Sequence, residues 1–183
     1  MNARIIRTNF RFVCAFFILF SLVNPTHAQT ILLDRQLTND ELLNAVHFGD
    51  IAMVKFYFSK GGEPNAILGN NWMPMIVLAA RVESKGPEKA YRLVEFLLEK
   101  GADPNKVVGL KETAILMAAR QTDPKEGPSW IDTAELNKYM ALTIKTLKQA
   151  GAKIELKDHV GESALTLAES GRLPKDIQSA ILK

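Results

Sequence analysis

The chain has 183 residues, 47% of them hydrophobic, with 23 basic and 20 acidic side chains. Three basic residues and no acidic ones fall within the first 28 positions, so residues 29–183 carry 20 charges of each sign. That balance argues against a nucleic-acid binder, which needs clustered lysine and arginine. The only cysteine, Cys14, also falls within these 28 residues, which leaves the rest of the chain without a disulfide, a thiolate nucleophile or a thiolate metal ligand.

The first 28 residues have the pattern of a secretory signal peptide. Arg4, Arg7 and Arg11 form a basic head, an apolar run follows at 12–23, and Thr26-His27-Ala28 offers small residues for cleavage. Twelve helical residues reach about 18 Å, short of the roughly 30 Å hydrocarbon core of a bilayer. We therefore expect cleavage after residue 28 and a periplasmic or secreted protein. The alternative is a retained segment that tethers the protein to a membrane.

Residues 29–37 are predicted to form an extended lead-in to the first helix pair. Thr38 and Glu41 have the spacing of a capping box at a helix start, and Asp50 can cap the second helix. Gly61-Gly62 should end that helix, because glycine readily adopts the left-handed conformation found after a helix C-terminus.

A five-residue motif then recurs along the chain. Gly61-Gly62-Glu63-Pro64-Asn65 returns as Gly101-Ala102-Asp103-Pro104-Asn105, and in weaker form as Gly151-Ala152-Lys153-Ile154-Glu155. Each copy follows an apolar helical stretch. Self-similarity at a spacing of tens of residues predicts a stack of helix pairs.

The intervals between these motifs are 40 and 50 residues, and the surplus chain lies at 82–89 and 121–137. Pro87 can occupy the first position of a helix. Asp132 can cap a long helix with one apolar stripe, formed by Leu136, Met140, Ile144 and Leu147. In the last segment, an apolar face of Ile177, Ala180 and Ile181 predicts a closing helix with a polar outer side.

Residues 45–65 resemble an ankyrin repeat, with alanine in the inner helix, a glycine turn, a V-x-x-x-F outer helix and a G-x-D/E-x-N ending. Residues 111–119 and 161–168 resemble the family's inner-helix opening. The family period is about 33 residues, from which the intervals here depart. The resemblance implies a mainly α solenoid of stacked helix pairs with short β-hairpin or loop fingers. It covers 38–183, with terminal caps, in units of about 38–65, 66–105, 106–155 and 156–183.

Catalytic and metal-binding patterns are missing from the sequence. His47 and His159 fall in different units, and no metal-ligand spacing accompanies them. We expect a structural role for His47 and a surface turn at His159. Ser163 lacks the second glycine of a nucleophile elbow and is expected to cap a helix, as Thr113 does one unit earlier. We therefore expect no enzyme and no cofactor or metal; a hydrolase using Ser163 and His159 is the alternative.

The resemblance implies that a protein partner binds the concave face and the finger tips. The candidate residues are mostly apolar and lie at or near these tips: Ile67, Leu68, Trp72, Val107, Val108, Leu110, Trp130, His159 and Val160. Alternatively, neighbouring fingers pack on each other and half-bury these side chains. Trp130, in the insertion, is expected to fold back onto the long helix, since an exposed indole gains nothing from water.

These observations predict an exported ankyrin-repeat protein that mediates protein–protein interaction, with an inhibitor or immunity-type binder as the specific hypothesis. The protein is expected to be a monomer by itself, and to bind neither nucleic acid nor, after cleavage, a membrane. The rival is the tethered scaffold described above.

Overall fold

The chain is mainly helical in the computed structural model, which describes residues 36–69 and 72–183. The expected signal peptide at 1–28 and nearly all of the lead-in at 29–37 therefore lie outside the described residues. Within the described part, eight helices and one short hairpin follow in order. Their bounds are α1 Asn39–Phe48, α2 Ile51–Ser59, β1 Ile67–Leu68, β2 Met73–Pro74, α3 Met75–Ala79, α4 Pro87–Glu99, α5 Ala114–Arg120, α6 Thr133–Gln149, α7 Ala164–Glu169 and α8 Lys175–Leu182.

Side-chain caps begin several of these helices where the sequence predicts them. Thr38 and Glu41 form the capping box of α1, with the amide of Glu41 3.3 Å from the Thr38 hydroxyl. Asp50 accepts a hydrogen bond from the third residue of α2, and Asp132 does the same for α6. Thr113 and Ser163 cap α5 and α7. Each cap satisfies an amide that the helix itself leaves without a partner.

The three copies of the recurring motif have one backbone geometry. Gly61, Gly101 and Gly151 have φ values of +80°, +87° and +91°, the left-handed region that favours glycine. The amide that follows each glycine donates back to a carbonyl in the last turn of α2, α4 or α6, over distances of 2.9 to 3.1 Å. These bonds satisfy carbonyl groups at the helix ends, as in a Schellman motif.

Asparagines in the first two copies contact the copy that follows. Asn65 Oδ1 accepts a 2.8 Å hydrogen bond from the amide of Asp103. Asn105 Oδ1 accepts one of the same length from Lys153, and Asn105 Nδ2 donates to the carbonyl of Gly151 at 2.9 Å. Successive motifs are therefore joined directly, although they are 40 and 50 residues apart.

The contacts between helices form two series. Helices α1, α3, α5 and α7 contact one another in chain order, and α4 contacts α6, which contacts α8. Each of α1, α3, α5 and α7 also contacts the helix that follows it. Helices α3 and α5 are almost entirely buried, and the predicted apolar faces of α6 and α8 lie in the same core. Burial of this apolar surface is the main stabilising contribution.

Candidate protein-binding surface

Three finger-like loops lie between these helices. We call them the hairpin finger (residues 66–69 and 72–74), the middle finger (106–112) and the last finger (156–162). The hairpin finger holds β1 and β2, which pair antiparallel with Leu68 opposite Met73. The other two fingers consist of turns and irregular backbone.

Large apolar side chains are exposed on all three fingers. The exposed fraction is 69% for Trp72, 53% for Leu110 and 68% for Val160. Val107 is also exposed, whereas Ile67 and Val108 are half-buried. Single exposed apolar side chains are common on protein surfaces, but one on each of three fingers marks a candidate binding surface.

Leu68 does not belong to this surface, because only 2% of it is exposed. Strand β1 contacts α1, and Leu68 is part of the core. Successive residues of a strand point to opposite sides, so β1 leaves Ile67 half-exposed while Leu68 is buried. A partner on the finger surface therefore has no access to Leu68.

The prediction that Trp130 folds back onto the long helix is wrong, since this residue is 66% exposed. Its neighbour Ile131 packs against the core instead. The insertion is held by Asp123, whose carbonyl accepts a 2.7 Å hydrogen bond from Gly127 and whose Oδ1 accepts one from Lys125. The indole is therefore not needed to fix the loop and lies on the surface.

The two histidines make separate contacts. His159 is exposed, and its amide donates a 3.0 Å hydrogen bond to the carbonyl of Leu110, which joins the last finger to the middle finger. His47 Nε2 lies 2.7 Å from the hydroxyl of Ser84. Ser163 is 1% exposed and accepts a hydrogen bond from the amide of Thr166 at the start of α7. The hydroxyl thus has the capping role that its position predicts.

A groove of about 360 Å³ lies between the hairpin finger and the middle finger. Its apolar lining includes Trp72, Met73, Val108 and Leu110. Three of these four were candidate residues on sequence grounds. Charged residues also line the groove, and the sequence did not single them out: Arg81, Glu112, Arg120 and Glu126.

Arg120, the last residue of α5, is the centre of an ion-pair network. Nη1 donates to Glu112 at 2.8 Å, and Nη2 donates to Asp158 at 2.5 Å and to Glu162 at 2.8 Å. Glu126 is more distant, with Oε2 3.5 Å from Nε. The network therefore joins the middle finger, the insertion and the last finger through one guanidinium group.

Arg172 extends this network beyond the groove. Its Nη2 donates to Glu162 at 2.8 Å, and its Nε lies 3.3 Å from the buried Oδ2 of Asp123. The network thus contains two arginines and five carboxylates. The network therefore has three more negative than positive formal charges.

Asp158 also organises the last finger. Its Oδ1 accepts hydrogen bonds from the amides of Val160 at 3.0 Å and Glu162 at 2.9 Å. Burial alone would raise the pKa of Asp158, but the Arg120 guanidinium and these two amides hold the pKa below its usual value. Burial likewise opposes the charge of Arg120, but hydrogen bonds to Asp158 and Glu162 raise the pKa of Arg120.

Lys85 is a second buried charge, and it lies after the end of α3. Its Nζ donates to the carbonyls of Leu78 at 3.2 Å and Arg81 at 2.7 Å. Burial lowers the pKa of Lys85 to about 8, against a smaller opposing effect from Glu83. The ammonium group thus satisfies carbonyls near a helix end, where a positive charge is favoured.

Among residues 36–69 and 72–183, no group of three or more histidine or acidic side chains is arranged to hold a metal ion. No helix of this part of the chain is long and apolar enough to cross a bilayer. Comparison with models of protein families gave no match, and comparison with curated proteins gave none either.

Proposed function

We propose that the chain is an exported ankyrin-type solenoid that binds another protein through its three fingers and has no catalytic role. The observation that carries the proposal is the exposure of Trp72, Leu110 and Val160, one on each finger. Large apolar and aromatic side chains of this kind form the energetic centre of protein–protein interfaces. The hypothesis of an inhibitor or immunity-type binder is the specific form of this proposal.

Two features support the solenoid interpretation. The three motif copies share one helix-end geometry, and asparagine hydrogen bonds join each copy to the next. Helices contact their partners within a pair and the helices of the neighbouring pair. Both features are what a stack of repeats requires, since each repeat covers the apolar side of the one before it.

The binding mechanism that we propose is rigid presentation. The His159–Leu110 hydrogen bond and the Arg120 network tie the middle finger to the last finger. Surfaces that are already ordered lose less conformational entropy on association. The middle and last fingers would therefore bind without prior rearrangement, and the shape and charge of the finger tips would set specificity.

Affinity capture from a periplasmic or secreted fraction tests the proposal. The wild-type chain should retain a saturable partner, whereas Trp72→Ala and Val160→Asp should lose it at an unchanged melting temperature. Leu142→Ala is the matched control, because Leu142 is an exposed apolar residue on α6 rather than on a finger. Equal capture by all four proteins would contradict an interface formed by the fingers.

Export is tested separately by the mass of the mature protein. Gln29 as the first residue would support a periplasmic or secreted location. Retention of residues 1–28 would instead support the tethered scaffold, in which the same fingers are displayed from a membrane.

A further inference from the structure

We infer that the groove between the hairpin finger and the middle finger receives an arginine side chain from a loop of the protein partner. This inference rests on the proposed protein-binding function and adds the chemistry of the group that is bound. Three observations carry it: an excess of carboxylates, one weakly held carboxylate at the groove and an exposed indole beside it.

The first observation is the charge of the network that borders the groove. Arg120 and Arg172 face five carboxylates, those of Glu112, Asp123, Glu126, Asp158 and Glu162. Arg81, the remaining cation of the groove lining, is already bound to Glu83 by two hydrogen bonds of 3.0 and 3.1 Å. Of the five carboxylates, only Glu112 and Glu126 line the groove, and Arg120 is also bound there to Asp158 and Glu162 from outside the lining. An incoming positive charge would therefore meet Glu112 and Glu126.

The second observation identifies the carboxylate that is open to a partner. Glu112 is 2.8 Å from Arg120 and its side chain is 17% exposed. Glu126 is 3.5 Å from the same guanidinium group, beyond usual hydrogen-bond length, and its side chain is 45% exposed. Arg120 already has three closer acid partners, so Glu126 can bind a second guanidinium at little cost to the network.

The third observation explains the preference for arginine over lysine. Trp72 lines the same groove and is 69% exposed, so a planar group can lie against its indole. A planar guanidinium group stacks parallel to an aromatic ring and binds a carboxylate through two parallel hydrogen bonds, whereas an ammonium group can lie over a ring but has neither the planar stacking nor the paired bonds. Val108 and Leu110 provide apolar contacts for the methylene groups of the same side chain.

Protein labelled with ¹⁵N at tryptophan tests the inference, using Trp72→Phe to assign the Trp72 indole signal. The probe is the peptide acetyl-Gly-Leu-Arg-Leu-Gly-amide, and the matched control peptide carries citrulline in place of arginine. Citrulline has the same shape but no charge. We expect the arginine peptide to shift the Trp72 indole signal far more than the citrulline peptide, and the shift to weaken with added salt.

The variant Glu126→Gln should reduce the affinity for the arginine peptide several-fold, while Glu99→Gln, an exposed glutamate at the end of α4, should leave it unchanged. Equal shifts with both peptides, no shift of the Trp72 signal, or wild-type affinity in Glu126→Gln would each overturn the inference. These outcomes are separable from the fate of the proposed function. If Val160→Asp loses the captured partner but Glu126→Gln retains it, the proposed finger interface is supported and the proposed arginine site is contradicted.

Discussion

The side chain of Asn65 accepts a 2.8 Å hydrogen bond from the backbone amide of Asp103, which occupies the third position of the next motif copy. Asn105 repeats this bond with Lys153 and adds a second one to Gly151. These asparagines connect parts of the chain that are far apart in sequence. Their removal should weaken the contact between successive helix pairs.

We predict that Asn105→Ala destabilises the protein more than Asn65→Ala does. Each lost hydrogen bond should cost about 1 kcal/mol, so the expected losses are about 2 and about 1 kcal/mol. Unfolding in urea measures both. Asn44→Ala, at an exposed position of α1, is the control and should change stability by less than about 0.5 kcal/mol. Equal losses in all three variants would show that the asparagine bonds do not stabilise the stack.

Replacement of Arg120 by methionine should cost about 3 to 5 kcal/mol of stability. The loss is large because the side chain of Asp158 has 0% exposure and would lose the arginine that balances its charge, keeping only its two amide hydrogen bonds. The double variant Arg120→Met/Asp158→Asn should recover part of the loss, since both charges are then removed. Urea unfolding of the two single variants and the double variant measures the coupling. Strict additivity would mean that the pair does not interact.

The pKa of Asp158 predicts an acid-side loss of stability. Because the folded state holds this pKa below its usual value of 3.8, the contribution is complete at higher pH and is lost as the pH falls through the folded value. The stability difference between wild type and Asp158→Asn should therefore shrink as the pH is lowered below about 4. Asp176→Asn, an exposed aspartate on α8, is the control. A pH-independent difference for Asp158→Asn would contradict the prediction.

The lowered pKa of Lys85 predicts a change of stability at alkaline pH. Its pKa is lowered from 10.5 to about 8, so between these values the unfolded chain binds more protons than the folded one. The stability of wild type relative to Lys85→Met should therefore rise from pH 8 to 10.5, by an amount on the order of 3 kcal/mol. Urea unfolding of both proteins across that range measures it. A flat difference would show that Lys85 titrates as an ordinary surface lysine.

Substitutions of the adjacent residues Trp130 and Ile131 in the insertion should change stability by different amounts. Trp130→Ala should change stability by less than about 0.5 kcal/mol, because the indole is 66% exposed. Ile131→Ala should cost about 1 to 2 kcal/mol, because this half-buried side chain packs on the core. Thermal unfolding of the pair compares them directly. A larger loss for Trp130→Ala than for Ile131→Ala would restore the folded-back arrangement that the sequence suggested.

The sequence was sufficient for features that depend on nearby residues. The capping residues Thr38, Asp50, Thr113, Asp132 and Ser163 all cap the helices predicted for them, because a cap and its amide lie within three positions. The apolar stripe of α6 is buried for a similar reason, since its period already defines one helix face.

Features that depend on tertiary contacts were not visible in the sequence. Arg120 meets Asp158 and Glu162 across about 40 residues, and no local pattern pairs them. The spacing of those two acids, four apart near a glycine, was a signal that could have drawn attention to the last finger. The choice between Trp130 and Ile131 for the core also lay beyond the pattern, because both are apolar, and the structure packs Ile131 on the core while it leaves Trp130 exposed.

Asn105 bonds to Gly151, which lies 46 positions further along the chain, and Asn65 bonds to Asp103, which lies 38 positions further. These hydrogen bonds join neighbouring helix pairs at the helix ends, although different lengths of chain connect the pairs elsewhere. Within the stretch between α5 and α6, extra residues can therefore be accepted at the exposed Ser129, provided that Asp123, Glu126 and Ile131 keep their contacts. Such a site would allow a reporter sequence to be inserted without altering the surface that meets the partner.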